Sequence, residues 1–118
     1  MDIITHIDFL QMAPDTALKE RALAHIERLA ERFGRMLSCR CTITAPSAHH
    51  RTGSAYEVRI RITLPEGPEL AIDRVAGDDE RLADPHFAID LAFKRARRQL
   101  EDRLQRREDA LSRPPSDT

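Results

Sequence analysis

Apolar residues alternate with polar residues in several short runs, a pattern typical of strands with one buried face. The clearest run covers residues 56–64, and its inward residues are Tyr56, Val58, Ile60, Ile62 and Leu64. A similar alternation over residues 2–10 predicts a first strand with Ile3, Thr5, Ile7 and Phe9 inward. Residues 36–45 predict a second strand with an inward set of Leu37, Cys39, Cys41 and Ile43. Leu70 and Ile72 mark a fourth strand, which follows a tight PEGP turn.

Two other stretches repeat their apolar residues at spacings of three and four, as amphipathic helices do. In the first stretch the repeat consists of Leu18, Ala22, Ile26, Leu29 and Phe33. We expect Pro14 at the first position of this helix, Asp15 in its first turn and a stop at Gly34. The second helix is predicted to begin at the N-cap residue Asp84, with Pro85 in its first position. Its apolar stripe is Ile89, Phe93, Ala96, Leu100 and Leu104, flanked by Ala88 and Ala92.

These elements follow one another in the order β-α-β-β-β-α, which is an α+β fold. A strand-helix-strand unit favours a parallel crossover, and three later strands with short loops favour an antiparallel meander. We therefore expect a four-stranded mixed sheet with two helices packed on one face. The other face is expected to be open to water and to carry Arg40, Arg59 and Arg61. The length of 118 residues fits a single domain over residues 1–111, followed by a tail at 112–118 that is predicted to be disordered.

The second helix concentrates positive charge in a protein whose formal net charge is −1. Between residues 94 and 107 it carries seven cations and two anions, a net charge of +5. The cations are Lys94, Arg95, Arg97, Arg98, Arg103, Arg106 and Arg107, and the anions are Glu101 and Asp102. A helix that continues to about residue 108 is roughly 35 Å long, and a nine-residue strand covers only about 30 Å. Its last turns should therefore overhang the core and present guanidinium groups to solvent or to a polyanion.

The N-terminal sequence and the amino-acid composition make several classes of protein unsuitable interpretations of this chain. The opening MDIITHIDFL has no basic leader and no long apolar run, so we expect no secretory signal, no membrane span and a cytoplasmic location. Aromatic residues make up only 4% of the chain, fewer than a protein that stacks single-stranded bases normally shows. Cys39 and Cys41 share one face of a strand with about 7 Å between their side chains, so we expect two reduced, buried thiols.

Two other chemistries are disfavoured. A metal site of Cys39, Cys41, His49 and His50 matches no common zinc spacing, and two buried thiols beside a polar loop are the simpler interpretation. The sequence shows no Gly-rich phosphate loop, nucleophile elbow or inward carboxylate pair, so we expect no enzyme, no cofactor and no small-molecule substrate. An acidic cluster in a predicted loop consists of Asp78, Asp79, Glu80 and Asp84. Capping of the second helix accounts for the presence of Asp84.

The chain resembles the ribosome hibernation-promoting factor family, whose members are also described as sigma-54 modulation proteins and ribosome-associated translation inhibitors. The resemblance covers about residues 1–107 and rests on ERLAERFGRM, YEVRIRITLP, GPELAIDR and FAIDLAFKRARRQLED, of which AID and RRQL are the most specific elements. It implies a fold similar to double-stranded RNA-binding domains. It also implies a non-catalytic factor that binds the small ribosomal subunit in the mRNA and tRNA decoding channel and inhibits translation in hibernation or stress.

When the RNA-contacting positions of the family are transferred to this sequence, the resemblance implies that basic residues of both helices contact ribosomal RNA. They are Lys94, Arg95, Arg97, Arg98, Arg103, Arg106 and Arg107 of the second helix, with Arg28 and Arg32 of the first helix as weaker candidates. The chain has few lysines where the family often has them, and Glu101 and Asp102 interrupt the basic patch. We therefore expect a lower subunit affinity than in typical members. Without the dimerising domain of the long members, we expect the chain not to join two ribosomes by itself.

A second interpretation stays open from the residues alone. A basic helix face is often only solvated, and the open sheet face or an edge strand suits a protein-protein interaction module without ribosome binding. A dimer that survives high salt would favour that interpretation. In solution we expect a monomer or a weak homodimer.

Overall fold

Strands and helices follow one another in the predicted order. The computed structural model describes residues 3–46, 55–73 and 80–112. Within these ranges the elements are β1 (Ile4–Leu10), α1 (Thr16–Phe33), β2 (Ser38–Thr44), β3 (Glu57–Thr63), β4 (Leu70–Ile72), a 3-10 helix (Glu80–Ala83) and α2 (Pro85–Ser112). The β-α-β-β-β-α arrangement and the α+β class are confirmed.

The strands form one mixed sheet of four strands in the order β1-β2-β3-β4. β1 pairs with β2 in parallel, whereas β2 pairs with β3 and β3 with β4 in the antiparallel direction. The register places one residue of each strand in a single row across the sheet: Ile7, Cys41, Ile60 and Ile72. Because residues two apart along a strand share a face, this row and its neighbours form one apolar sheet face.

Both helices cover that apolar face. The buried residues of α1 are Leu18, Ala22, Ile26 and Leu29, and those of α2 are Ala88, Ile89, Ala92, Phe93, Ala96 and Leu100. Together with the inward residues of the sheet they form a single hydrophobic cluster. On the opposite sheet face Arg40 and Arg59 are exposed and Arg61 is half-buried, which agrees with the predicted open face.

The start of α1 differs from the prediction by two residues. Asp15 has an extended backbone and serves as the N-cap, and its carboxylate accepts a hydrogen bond from the backbone N–H of Leu18 at 3.0 Å. The prediction that Pro14 occupies the first helical position is therefore wrong, since an N-cap residue lies outside the helix. The predicted stop is confirmed: Gly34 has a φ of 40° and its N–H donates to the carbonyl of Ala30.

The start of α2 agrees with the prediction, and its end lies further along the chain. The Asp84 carboxylate accepts a hydrogen bond from the backbone N–H of His86 at 2.9 Å, and Pro85 is the first residue of the helix. The helix continues to Ser112, the first residue of the predicted tail, and the rest of that tail lies outside the described residues. Among the helices that the structure describes, none is long and apolar enough to cross a membrane.

Three local predictions were wrong for reasons of packing. Leu104 is 47% exposed because α2 extends past the apolar surface beneath it. Leu37 is 52% exposed, and Met36 is buried instead, because the regular strand begins only at Ser38 and strict alternation does not reach the two preceding residues. The stretch predicted as an acidic loop contains the 3-10 helix, which buries Leu82 in the core.

Candidate nucleic-acid interface

A cluster of polar side chains holds α1 against α2. The Asp90 carboxylate of α2 accepts two hydrogen bonds from Arg21 of α1, from Nε to Oδ1 at 2.9 Å and from Nη2 to Oδ2 at 2.6 Å. His25, one turn further along α1, places its Nε2 2.7 Å from the same carboxylate and stacks its ring on Phe93 with the centroids 4.9 Å apart. The pKa of Asp90 is lowered to about 2. The main cause is the hydrogen bonding of its carboxylate with the Arg21 guanidinium, and His25 makes a smaller contribution. We call Arg21, His25 and Asp90 the helix clamp.

A groove of about 720 Å³ runs between the two helices beside this clamp. Four of the predicted RNA-binding cations line it, namely Arg28 and Arg32 from α1 with Lys94 and Arg97 from α2. Glu31 and Asp90 are the acidic residues of the lining, and Asp90 is already neutralised by Arg21. We call this cleft the inter-helix groove. The fold therefore brings together cations that lie more than sixty positions apart in the sequence.

Most cations near the groove are available to a ligand. Within the part of the chain that the structure describes, Arg28, Lys94, Arg95 and Arg98 are exposed and form no ion pair or hydrogen bond with other side chains. Lys94 lines the groove, Arg98 lies one helical turn after it, and Arg95 lies on the outer side of α2. An anion can therefore bind these side chains without displacing an internal partner.

Arg32 and Arg97, in contrast, share an internal carboxylate. Glu101 Oε1 accepts a hydrogen bond from Arg97 Nε at 2.9 Å and lies 3.4 Å from Arg32 Nη2. The same oxygen thus bridges the two helices at one end of the inter-helix groove. From the sequence, Glu101 only interrupts a basic patch; in the structure it occupies a position between two guanidinium groups where a phosphate oxygen would be favoured.

The remaining predicted cations lie apart from the groove. Arg103 Nη1 donates to the carbonyl of Pro68 at 2.7 Å, and Arg107 Nη1 lies 2.6 Å from Glu66 Oε2, so both side chains hold the turn between β3 and β4. Arg106 contacts the backbone carbonyl of Asp102 at 3.4 Å. We call Arg103, Arg106 and Arg107 the distal cluster. The basic patch, which Glu101 and Asp102 interrupt in the sequence, is therefore divided in space into two separate groups.

The arginines of the open sheet face are mostly paired with acids. Arg61 Nη2 lies 2.6 Å from Asp73 Oδ1, and Arg40 Nε lies 3.8 Å from Asp8 Oδ2. A face neutralised in this way attracts a polyanion less strongly than the groove does. The large apolar residues exposed on this face, within the described ranges, are Ile4 and Leu10 of the edge strand β1.

Neither of the other candidate chemistries gains support in the described ranges. No group of three or more His, Cys, Asp or Glu side chains there is placed to hold a metal ion, and the proposed ligands His49 and His50 lie outside those ranges. Cys39 and Cys41 are free and buried, and burial raises the pKa of each thiol to about 12. Of the acidic cluster, Asp84 caps α2, while Asp78 and Asp79 lie outside the described residues.

Sequence reasoning missed the helix clamp. Its members come from helices whose contact residues are 65 and 69 positions apart, and no local pattern links them. One signal was present, since Arg21 and His25 are four residues apart and therefore share one face of α1. Asp90 lies at the border of the apolar stripe, which makes it the natural partner for that face.

Known proteins share the sequence features and the fold. A family model described as sigma 54 modulation protein / S30EA ribosomal protein matches residues 5–108. The chain is similar in structure to a ribosomal subunit interface protein from Coxiella burnetii, with a TM-score of 0.66 and 14% identity over 87% of this chain and 99% of that one. It is also similar to the N-terminal domain of Thermus thermophilus Protein Y, with a TM-score of 0.61 and 18% identity over 86% of this chain and 98% of that one. A comparison with curated proteins gives no match.

Proposed function

Because the chain belongs to the sigma 54 modulation protein / S30EA ribosomal protein family, we propose that it is a ribosome-associated factor without catalytic activity. It binds the small ribosomal subunit in the channel for mRNA and tRNA and inhibits translation during hibernation or stress, and its site of action is the cytoplasm. The observation that carries the proposal is the inter-helix groove, where cations of both helices face one cleft.

The groove suits the phosphate backbone of folded RNA. Guanidinium groups bind phosphate through paired hydrogen bonds, and Arg28, Arg32 and Arg97 supply three of them on two rigid helices. Contacts with phosphates fix the position of a protein on RNA without reading its sequence. Recognition through the shape of ribosomal RNA therefore fits this surface, and each phosphate contact adds to the salt dependence of binding.

The predicted RNA-binding residues divide into two tiers. Arg28, Arg32, Lys94, Arg97 and Arg98, with Arg95 beside them, form the proposed primary contact surface at the inter-helix groove. The distal cluster contributes less, because Arg103 and Arg107 would have to give up their contacts with the β3–β4 turn to bind RNA. This division predicts a larger loss of affinity at Arg98, which has no internal partner among the described residues, than at Arg103 or Arg107.

The proposed inhibition of translation requires no catalytic step. A folded domain held in the decoding channel excludes tRNA because the two molecules would occupy the same volume. A competition assay tests this: labelled tRNA is bound to small subunits programmed with mRNA, and the purified protein is added at increasing concentration. We expect tRNA to be displaced by the wild type and retained with a double variant, Arg97→Glu with Arg98→Glu. Simultaneous, undiminished binding of tRNA and wild-type protein would refute the channel assignment.

One observation favours the second candidate, a protein-protein interaction module. Ile4 and Leu10 are exposed on β1, which lies at one edge of the sheet formed by the described strands, and a partner strand can pair with such an edge. Light scattering at high salt separates the two candidates, because association through this edge is apolar and survives screening, whereas RNA contacts weaken. For the ribosome-associated factor we expect a monomer or weak homodimer throughout.

A further inference from the structure

A second cavity lies further along α2, beside residues 100–107. It is bounded by the end of α1, by the turn at residues 65–68 and by residues 100–107 of α2, and it encloses about 480 Å³. Its floor is apolar and consists of Phe33, Leu64, Leu100 and Leu104. We call it the turn pocket. Among the described residues it shares no lining residue with the inter-helix groove, so the two sites are separate.

The rim of the turn pocket is strongly basic. Arg35 joins the three residues of the distal cluster around the apolar floor. Glu66 is the single acid among the described lining residues, which leaves the lining with a net charge of +3. An apolar floor under such a rim is complementary to a ligand that is both apolar and anionic.

The walls of the turn pocket are held in place from within. Arg103 bonds to the carbonyl of Pro68, and Arg107 pairs with Glu66, so two guanidinium groups fasten the turn to α2. Gly67 adopts a φ of 79°, a conformation that other residues rarely take, and it lies between Glu66 and Pro68. These contacts therefore hold the walls of the pocket, although Arg107 and Glu66 also remain partly exposed to solvent.

Three residues that line the turn pocket can still make contacts with a ligand. Leu104 is 47% exposed although it belongs to the apolar stripe of α2. Arg106 bonds to a backbone carbonyl of its own helix, and Arg35 reaches Glu66 only at 4.0 Å. Each guanidinium has five N–H donors, so both retain donors for an external carboxylate.

We propose that the turn pocket docks an acidic segment of a partner protein, with one or two apolar side chains on the floor and flanking carboxylates on Arg35 and Arg106. The inference goes beyond the proposed ribosome binding and does not depend on it. The volume lies within the range of about 300–1,000 Å³ that is typical of ligand sites. Anchoring of an apolar side chain in a pocket ringed by polar contacts is the usual arrangement of a docking site.

The chemistry of the floor favours a protein segment over RNA. Bases bind unspecific sites chiefly by stacking on aromatic rings, and Phe33 is the one aromatic residue among the described lining residues. Its ring is already approached by the Arg32 guanidinium, 5.5 Å from the centroid. The other floor residues are leucines, which pack against aliphatic and aromatic side chains and offer no stacking surface.

Binding of short synthetic peptides to the full chain tests the proposal. The probe is acetyl-Glu-Asp-Leu-Phe-Asp-Glu-amide, followed by chemical-shift changes of the ¹⁵N-labelled protein and by fluorescence anisotropy. Two control peptides replace either the central Leu-Phe by Ser-Ser or all four acids by their amides. The protein variants are Leu104→Gln and Arg106→Gln, both at exposed positions, with circular dichroism to confirm that each is folded. Arg97→Gln at the inter-helix groove is the matched control, and decanoate serves as a small amphipathic anion.

We expect shifts at the residues of the turn pocket and a loss of about tenfold in affinity for either control peptide and either pocket variant. Arg97→Gln should bind the probe as the wild type does, although it weakens RNA binding. No binding of the probe at millimolar concentration, shifts confined to the inter-helix groove, or equal binding of the Ser-Ser peptide would each overturn the proposal. Binding of decanoate without binding of the probe would overturn it as well. Failure of the ribosome proposal would show instead as normal probe binding without subunit binding.

Discussion

Arg21 of α1 binds both carboxylate oxygens of Asp90 on α2, across 69 positions of sequence. The pair joins the two helices that border the inter-helix groove, in addition to their buried apolar contacts. Since the groove depends on cations from both helices, this contact supports the geometry of the proposed RNA site.

Because of the helix clamp, we expect the free energy of unfolding to change with pH in the acid range. The pKa of Asp90 is lowered from 3.8 to about 2 in the folded protein, mainly by hydrogen bonds from Arg21. A carboxyl group with a depressed folded-state pKa contributes stability above its unfolded value, and that contribution is lost as the pH falls through about 2. We expect Asp90→Asn to lower the free energy of unfolding at pH 7 by about 1 kcal/mol, since the pair is partly exposed.

Urea unfolding between pH 7 and pH 2 measures this effect. The difference between wild type and Asp90→Asn should shrink as the pH falls through the window from about 4 to about 2. Asp102→Asn is the control, because it removes an exposed carboxylate of the same helix that lies outside the clamp. A constant difference at all pH values would contradict the assignment.

Glu101 is expected to limit RNA affinity. Glu101→Gln removes the charge that bridges Arg32 and Arg97, so both guanidinium groups become available to phosphates. We predict several-fold tighter binding to small subunits, and a steeper dependence of log affinity on log salt by about one phosphate contact. Binding isotherms at several salt concentrations give both quantities.

The matched control for that change is again Asp102→Asn. It removes one negative charge from the next position of α2, on the outer side of the helix, so it reproduces the change in net charge but not the release of the two arginines. Equal gains for the two variants would show that only net charge matters and that the bridge is irrelevant.

Ile60 is predicted to be essential for folding. It is fully buried at the centre of the row that crosses all four strands. Ile60→Asp places an unpaired carboxylate in the core, at a cost of several kcal/mol, which a domain of this size rarely tolerates. Arg59→Asp, the adjacent position on the exposed face of β3, should leave the circular dichroism spectrum and thermal midpoint nearly unchanged. A cooperative, wild-type-like transition for Ile60→Asp would contradict the core assignment.

The two thiols are predicted to be unreactive in the native protein. Burial raises the pKa of Cys39 and Cys41 to about 12, so almost no thiolate is present at pH 8, and both side chains are inaccessible. Reaction with a disulfide reagent should be at least about a hundredfold slower than in 6 M guanidinium chloride, with both thiols reacting after unfolding. Rapid labelling of the folded protein would show that the sheet opens or that the strand register differs.

Alternation and capping predicted the elements well because their causes are local. Val58, Ile60 and Ile62 share a face by the geometry of a strand alone, and Asp84 before Pro85 favours the start of a helix through a local hydrogen bond and the fixed φ of proline. The errors lie at the ends of elements. Leu37 and Leu104 belong to apolar patterns, but their burial depends on whether another element covers them.

The sequence predicted which cations belong to the candidate site. It could not predict how these cations are arranged in space. Whether Arg97 is free or paired depends on Glu101 and on Arg32 of the other helix. Arg107 turned out to face Glu66, which lies forty-one positions before it in the chain. Such pairs depend on tertiary placement, so a count of charges along α2 does not separate the inter-helix groove from the distal cluster.

Co-sedimentation with separated ribosomal subunits tests the central claim most directly. The purified protein is mixed with small or large subunits and centrifuged through sucrose at low and at high salt, beside the Arg97→Glu, Arg98→Glu double variant. A second double variant, Arg40→Glu with Arg59→Glu on the open sheet face, is the control for charge reversal. The account predicts that wild type and control migrate with the small subunit at low salt, dissociate at high salt, and that the groove variant remains unbound. Migration with neither subunit, or undiminished binding by the groove variant, would contradict it.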